Sequence, residues 1–317
     1  MSTEDSMIAA SVERMLGDAP AGDGFAPTVW AALVEAGVPR LLRPEAQGGA
    51  GHAWRDAVAV LQAVAAHGAR VPLADTLLAH ALLSMSALDL DTEDTDDRPI
   101  RLVVAGPDGT PDPGDGLSAE AGRVLVLQAW GDRIGATWST RPDVPPREAV
   151  LADGGTVRAM LAIVSAAMIV GAMRASFAAG VDYAGLRRAF GRPIGAFQAV
   201  QHPLAVAAEE IAASRAALDW AAAELEAHAG TPASAVAAMV AKARAAEAAG
   251  RVAAVIHQVH GAIGFTAEHP LHRWSNLAWR WRDRWGDEHD WQARLGTLAL
   301  AAGPAGLFDL LDGRIGA

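Results

Sequence analysis

The chain has no cysteine, which excludes a disulfide framework, a thiolate metal site and a cysteine nucleophile. Aromatic residues are scarce, at 5% with a single tyrosine, although 51% of the residues are hydrophobic. Alanine therefore does much of the apolar work. That favours closely packed helices, since alanine has the best helix propensity and adds little bulk. Positive charge is in deficit: 26 Lys and Arg against 37 Asp and Glu leave a net charge of −11, which argues against nucleic acid as a partner. No apolar run reaches the roughly 18–20 residues needed to span a bilayer. The start, Met1-Ser2-Thr3-Glu4-Asp5, lacks the charged-then-apolar plan of a signal peptide. The expectation is a cytoplasmic protein without membrane or nucleic-acid partners, its 317 residues enough to bury a sizeable core.

What is present is mainly helical pattern, interrupted once. Met7 to Leu16 has the spacing of a short amphipathic helix, and Thr28 is placed to cap a second helix carrying Trp30, Leu33 and Val34 and stopping at Gly37. An irregular glycine-bearing loop follows from Val38 to Gly51, with no Lys-Ser/Thr as in a P-loop. Helices over Trp54 to His67 and up to Leu88 complete an N-terminal helical unit, residues 1–98, whose end is an acidic linker: six of the nine residues from Asp89 to Asp97 are acidic. Residues 99–155 switch to a short β segment, with β-rich runs at Ile100 to Ala105, Arg123 to Ala129 and Ile134 to Trp138. The segment from Pro142 to Gly155 reads as the return to helix. Residues 156–317 carry long helical runs from Val157 to Leu186, Leu204 to His228 and Ala233 to His260, joined by short links, which imply a helical bundle. Pro203 either kinks or opens the second of these.

Two stretches interrupt the bundle pattern informatively. Arg187 to Gln198 reads R-x-x-F-G-x-P-I-x-x-F-Q, and Gln258 to Pro270 reads Q-x-x-G-A-x-G-F-T-x-E-x-P. By composition alone each is punctuation: a basic residue at a helix C-terminus, and glycine and proline at turns. Their order resembles two signature segments of the acyl-CoA dehydrogenases, with Ala262 in place of one glycine. The Ala238 to Lys242 run and the P-E-x-x-G-G-x-G segment from Pro44 to Gly51 fit the same pattern. The resemblance implies a mainly α fold with a helical N-terminal unit, a β middle segment and a C-terminal four-helix bundle. It also implies FAD, with Arg187 on the pyrophosphate, Phe190 and Gln198 lining the adenosine end, and Gln258 and Gly261 covering the same cofactor across a subunit interface. Guanidinium suits phosphate oxygens, and glycine lets backbone N–H groups come close.

The departures from the family pattern are equally specific. The family's glutamate base sits in a turn before the last long helix, where this chain has Trp285 or Gly286, or early in the first bundle helix, where it has Leu161. Asp287 and Glu288 lie next to the first of these positions and serve either as a displaced base or as helix caps. The flavin-ring motifs of the family's β-domain are missing from residues 99–150, and Trp130 and Trp138 there read as core. His257, His260, His269 and His272 have metal-compatible spacing, but they adjoin a helix break without an HExxH motif, and no metal is expected. Five of the ten tryptophans fall within Trp274 to Trp291, interleaved with arginine, and read as buried interface anchors.

The chain thus resembles the reduced subunit of actinobacterial heteromeric acyl-CoA dehydrogenases that act on steroid side-chain thioesters. That implies α,β-dehydrogenation of a bulky acyl-CoA by a complex with a second acyl-CoA dehydrogenase-type subunit, which supplies the base, and with an electron-transfer partner. No catalytic residue is assigned to this chain. The rivals are a self-sufficient homo-oligomeric dehydrogenase with a displaced base and a flavin-free helical scaffold.

Overall fold

A computed structural model describes residues 7–17, 24–68, 71–86, 98–105, 123–130, 133–140, 145–151 and 153–311. The acidic linker from Asp89 to Asp97 lies outside the described residues. The N-terminal unit contains α1 (Met7–Gly17), α2 (Pro27–Glu35), α3 (Trp54–Ala66) and α4 (Leu73–Met85). Thr28 does not cap α2: the cap position is Ala26, and Pro27 occupies the first turn, where its missing N–H costs nothing. Gly37, at φ 72°, closes α2. The loop after it is compact, with 3-10 turns at Val38–Arg40 and Glu45–Gln47.

Among the described residues the middle segment is a four-stranded sheet in the order β1 (Ile100–Ala105), β2 (Arg123–Trp130), β3 (Arg133–Ser139), β4 (Arg147–Leu151). The first pair is parallel and the other two antiparallel. β4 lies in the segment from Pro142 to Gly155 that reads as the link back to helix, and adds a strand to the three β-rich runs expected. Glu148 and Ala149 are good helix formers, but pairing with β3 from Ile134–Leu151 to Trp138–Arg147 overrides propensity. Leu102, Leu125 and Trp138 lie in register across the sheet and all three are buried.

Asp153 then caps α5 (Gly154–Leu186), accepting N–H bonds from Gly155 and Thr156 at 2.9 and 3.1 Å. α5 is apolar and long enough by composition to cross a membrane, contrary to the sequence expectation, yet its most apolar 18-residue stretch is 94% buried inside the protein. It packs against α3, α6 (Gln198–His228), α7 (Pro232–His260) and α8 (Leu271–Asp283), while α9 (Glu288–Leu311) packs on α7. Helices α5, α6, α7 and α9 make the four-helix bundle. Pro203 lies within α6, which begins at Gln198, so the proline neither opens the helix nor ends it.

One buried polar junction ties the three parts together. Among the described residues β1 is an edge strand, and its outward-facing amides need partners. The Ile100 N–H donates to Thr76 Oγ1 at 3.0 Å and the Leu102 N–H to Asp75 Oδ2 at 3.2 Å. Arg284, between α8 and α9, donates to both carboxylate oxygens of Asp75 at 2.5 and 2.9 Å and to the Leu102 carbonyl at 2.9 Å. Asp75 is 0% and Arg284 2% exposed. The guanidinium lies 4.8 and 4.3 Å from the ring centroids of Trp281 and Trp285. From the bundle side, Lys242 Nζ donates to the carbonyls of Trp281, Arg282 and Arg284 at 2.5, 2.9 and 3.3 Å, satisfying acceptors at the end of α8.

The tryptophan-rich stretch is therefore an internal device and not a set of subunit-interface anchors. Trp281, Trp285 and Trp291 are buried in this chain, and Trp274 donates from Nε1 to the Ala66 carbonyl at the end of α3, at 2.7 Å. Trp279 retains substantial exposure, at 39%.

Two expectations follow. Arg284→Met should lower the unfolding free energy by about 3–5 kcal/mol by stranding the Asp75 charge, and Asp75→Leu by a similar amount, whereas the double variant should recover part of the loss. Urea denaturation of the four proteins checks this, and strictly additive losses would show that the two charges do not depend on each other. Burial, outweighing the attraction of Asp283, pushes the Lys242 ammonium down to about 7 from an ordinary 10.5. The unfolded chain then binds more protons between those values, so stability rises with pH across the window and is lost as pH falls through 7. Lys242→Met should be less stable at neutral pH by about 1–3 kcal/mol and should lack that slope. Parallel pH profiles for the two proteins would refute the assignment.

Candidate functional site

α5 ends at Arg187, whose N–H donates to the Tyr183 carbonyl at 2.8 Å. The chain then makes a minimal hairpin, β5 (Arg188–Ala189) and β6 (Arg192–Pro193), with Phe190 and Gly191 as its two-residue tip. Both tip residues have positive φ, 51° and 80°, the requirement of the type I′ turn that suits a hairpin's twist. Asn-Gly is the usual pair there. Phenylalanine in this region is strained by about 1–3 kcal/mol, and it is 96% exposed. Neither local conformation nor burial accounts for it.

The hairpin is otherwise well braced. Arg188 donates to the Gly191 carbonyl and Gln201 to the Gly195 carbonyl, both at 2.9 Å, and the Ile194 N–H donates to the Arg187 carbonyl at 2.8 Å. The Arg192 guanidinium lies 4.1 Å from the Phe197 ring centroid, and the Phe190 ring meets Phe197 edge-on at 6.1 Å. Arg187 and Gln198 are both exposed, Gln198 being the first residue of α6.

The second segment closes α7. Gln258 is exposed on its last turn, and Gly261 caps it at φ 62°, ψ −142°, a conformation open in practice only to glycine. No other group lies within 4 Å of where a Cβ on Gly261 would stand, so its backbone is approachable. A 3-10 turn, Gly261–Phe265, follows, ending on the exposed Phe265. Because α6 runs back between them, α5 and α7 point the same way, and their C-termini meet at one end of the bundle. The Tyr183 ring stacks on His260 there, with centroids 4.6 Å apart. The fold thus brings Arg187, Phe190 and Gln198 together on one turn, Gln258 and Gly261 on another, and both turns to the same end.

The positions that hold the family's base are built differently. Leu161 is buried within α5, and Trp285 is buried at φ 60° against Trp281. Gly286 stands close to the Trp291 indole, from which it accepts a hydrogen bond at 3.2 Å. Asp287 and Asp290 bond reciprocally, each carboxylate accepting the other's N–H, at 3.1 and 2.9 Å. That arrangement is a helix cap for α9. The exposed Gln292 amide donates to Glu288 Oε1 at 3.2 Å.

The four histidines have local partners. His257 Nε2 is 3.1 Å from Ser275 Oγ, His260 and His272 donate from Nδ1 to the carbonyls of Ile256 and His269 at 2.8 Å, and His269 Nδ1 accepts the Leu271 N–H at 3.2 Å. Burial first, then neighbouring histidine charge, holds His257 and His269 below the ordinary range. Among the described residues no group of three or more His, Asp or Glu is arranged to hold a metal ion.

Sequence reasoning missed Asp75, Arg284 and Tyr183. Asp75 is the one acidic residue of a mostly apolar helix, and that was the available signal. Tyr183 is the chain's one tyrosine, which was the other.

A helical N-terminal unit, a small sheet and a four-helix bundle with two glycine-shaped turns at one end define the acyl-CoA dehydrogenase fold. Solved structures share it. A variant of the Tcur3481–Tcur3483 steroid ACAD aligns with a TM-score of 0.78 at 24% identity, over 94% of this chain and 98% of that one. The ChsE4–ChsE5 complex from Mycobacterium tuberculosis aligns at 0.76 and 20%, over 96% and 100%. PigA with FAD and proline aligns at 0.77 and 15%, over 96% and 99%. At these identities the likeness is one of fold.

Sequence carries it further. Residues 159–279 match the family described as acyl-CoA dehydrogenase, C-terminal domain. The acyl-CoA dehydrogenase IpdE2 of Mycobacterium tuberculosis is 34% identical over 262 residues, 78% of this chain and 79% of that protein. The chain belongs to the acyl-CoA dehydrogenase family.

The hairpin supplies a further expectation. Phe190→Asn, which places a residue tolerant of positive φ at the tip, should stabilise the chain by about 0.5–1 kcal/mol. Urea denaturation reads this directly, and a loss of stability would mean that the edge contact with Phe197 outweighs the strain.

Proposed function

We propose that this chain is the reduced subunit of a cytoplasmic, FAD-dependent acyl-CoA dehydrogenase acting on a bulky, steroid-like acyl-CoA, in which a second acyl-CoA dehydrogenase-type chain supplies the base. The observation that carries the reading is a contrast within one molecule. An exposed phenylalanine is kept at a strained tip and a glycine at a conformation only glycine adopts, while both base positions hold apolar residues or glycine. The three-part division at 98/99 and 155/156 belongs to the same reading. So does a separate electron-transfer partner, which reoxidises the complex.

The residues fit the cofactor chemically. Arg187 offers an exposed guanidinium to pyrophosphate oxygens, and bidentate pairing of this kind is favoured. Phe190 offers a ring face to the adenine end, and Gln198 and Gln258 offer amide donors and acceptors. Gly261 leaves its backbone open to close approach. FAD, when bound, supplies the two-electron acceptor for α,β-dehydrogenation. This chain holds and orients the cofactor, while Asp287 and Asp290 cap α9 and Glu288 accepts a bond from Gln292. Support for a steroid-like substrate and a second chain comes from the fold neighbours, one described as a steroid ACAD and the other as a two-component complex.

The test is to purify the tagged chain alone and, separately, the complex that the tag retrieves from the native host. The chain alone should hold little flavin and show no acyl-CoA oxidation with an artificial electron acceptor, and the complex should show both. Arg187→Ala in the complex should lower flavin affinity by about 1.5–3 kcal/mol, the worth of a charge-assisted contact, while changing unfolding by no more than about 1 kcal/mol. A yellow, active homo-oligomer of this chain would overturn the partner requirement. Unchanged flavin content in Arg187→Ala would remove the hairpin from the cofactor site.

A further inference from the structure

The two turns assigned to FAD are separated by about sixty residues of sequence, and they can act together only if their spacing is held. Tyr183, His260 and His269 lie where that spacing is set. Tyr183 is on the last turn of α5 and its carbonyl receives the Arg187 N–H. Its ring stacks on His260 with planes 26° apart and meets His269 edge-on at 6.5 Å. His260 and His269 are 4.5 Å apart, centroid to centroid, and His260 is the residue before Gly261. The His260 ring is buried and locked by its Nδ1–H bond to the Ile256 carbonyl, which leaves Nε2 buried without a hydrogen-bond partner. The three rings therefore form a wedge joining α5, α7 and the entry to α8.

This wedge is distinct from the packing that holds the bundle. One turn earlier, Gly180 lets α5 and α7 approach so closely that an added Cβ would stand 2.7 Å from Ile256 Cδ1. The helices are thus fixed against each other below the wedge by small residues. Removing the Tyr183 ring leaves that contact in place and frees the terminal turns.

We propose that Tyr183 is a positioning residue, whose ring against His260 and His269 keeps residues 187–198 and 258–265 at the mutual spacing that FAD binding requires. The inference rests on the assignment of both turns to FAD. It predicts that the two turns loosen together when the ring is lost, and that a phenylalanine, which preserves the stack, restores them.

Hydrogen exchange and flavin affinity of the purified complex test it, comparing wild type, Tyr183→Ala and Tyr183→Phe. In Tyr183→Ala, exchange should quicken in both 188–197 and 261–266, and flavin should bind about tenfold more weakly, the worth of an aromatic pair. Tyr183→Phe should behave as wild type in both respects. Exchange that quickens around residue 183 alone, or flavin affinity equal in wild type and Tyr183→Ala, would overturn this inference while leaving the cofactor assignment standing. A wild-type complex that binds no flavin would overturn both.

Discussion

The Asp75–Arg284 ion pair is the constraint on which the architecture depends. A charge taken wholly out of water must find its counter-charge and fill its remaining hydrogen-bonding capacity, or the fold loses several kcal/mol. Here both conditions are met by groups from three parts of the chain. Asp75 comes from the N-terminal helices, Arg284 from the α8–α9 junction, and the Leu102 N–H and carbonyl from the edge of the sheet. The edge strand gains partners that an exposed edge would otherwise seek in another chain. Lys242 adds a fourth link by holding the carbonyls at the end of α8, including that of Arg284 itself. Sheet, helical unit and bundle are thus locked at one point by directional bonds. The apolar packing around it, Trp281 and Trp285 included, supplies no comparable directionality.

That same junction occupies the region where other family members carry a glutamate. Trp285 takes up a left-handed backbone, meets Trp281 edge-on and covers the Arg284 guanidinium, and Asp287 and Asp290 are spent on each other's amides. The local chemistry is devoted to holding structure. At the end of the bundle marked by the α5 and α7 C-termini the priorities reverse. A strained, exposed phenylalanine, exposed arginine and glutamine side chains and an approachable glycine backbone contribute little to this chain's own stability. The proposed cofactor site lies at that end, on side chains whose exposure and strain this chain's own packing does not explain.

Much of the fold was legible in the sequence because helical periodicity and alanine content are local properties. α1, α3, α5 and α7 fall where their patterns placed them, and β1 begins and ends as expected. The misreadings have one cause. Thr28 is a fair cap by type, but Pro27 starts the helix and moves the cap two residues earlier, to Ala26; Glu148 and Ala149 favour helix, but β3 recruits them. The tryptophans between Trp274 and Trp291 are suited to any apolar surface, and composition does not say whether that surface belongs to this chain or to another. The two glycine-bearing turns stood out as ordered motifs, whereas nothing in their sequence told how far apart they lie.

By itself, then, the sequence determined the run of long alanine-rich helices, the two interrupting turns with their residue order and, through that order, the family. Those are matters of local propensity and of side-chain chemistry written in succession. Only the tertiary structure decided that Asp75 meets Arg284 across 209 positions, that Lys242 serves α8, and that Tyr183 stacks on His260 beside Gly261. The reason is physical: a buried charge or an unpaired carbonyl is answered by whichever group the packed helices bring within hydrogen-bonding reach, and that proximity exists only after the chain has folded.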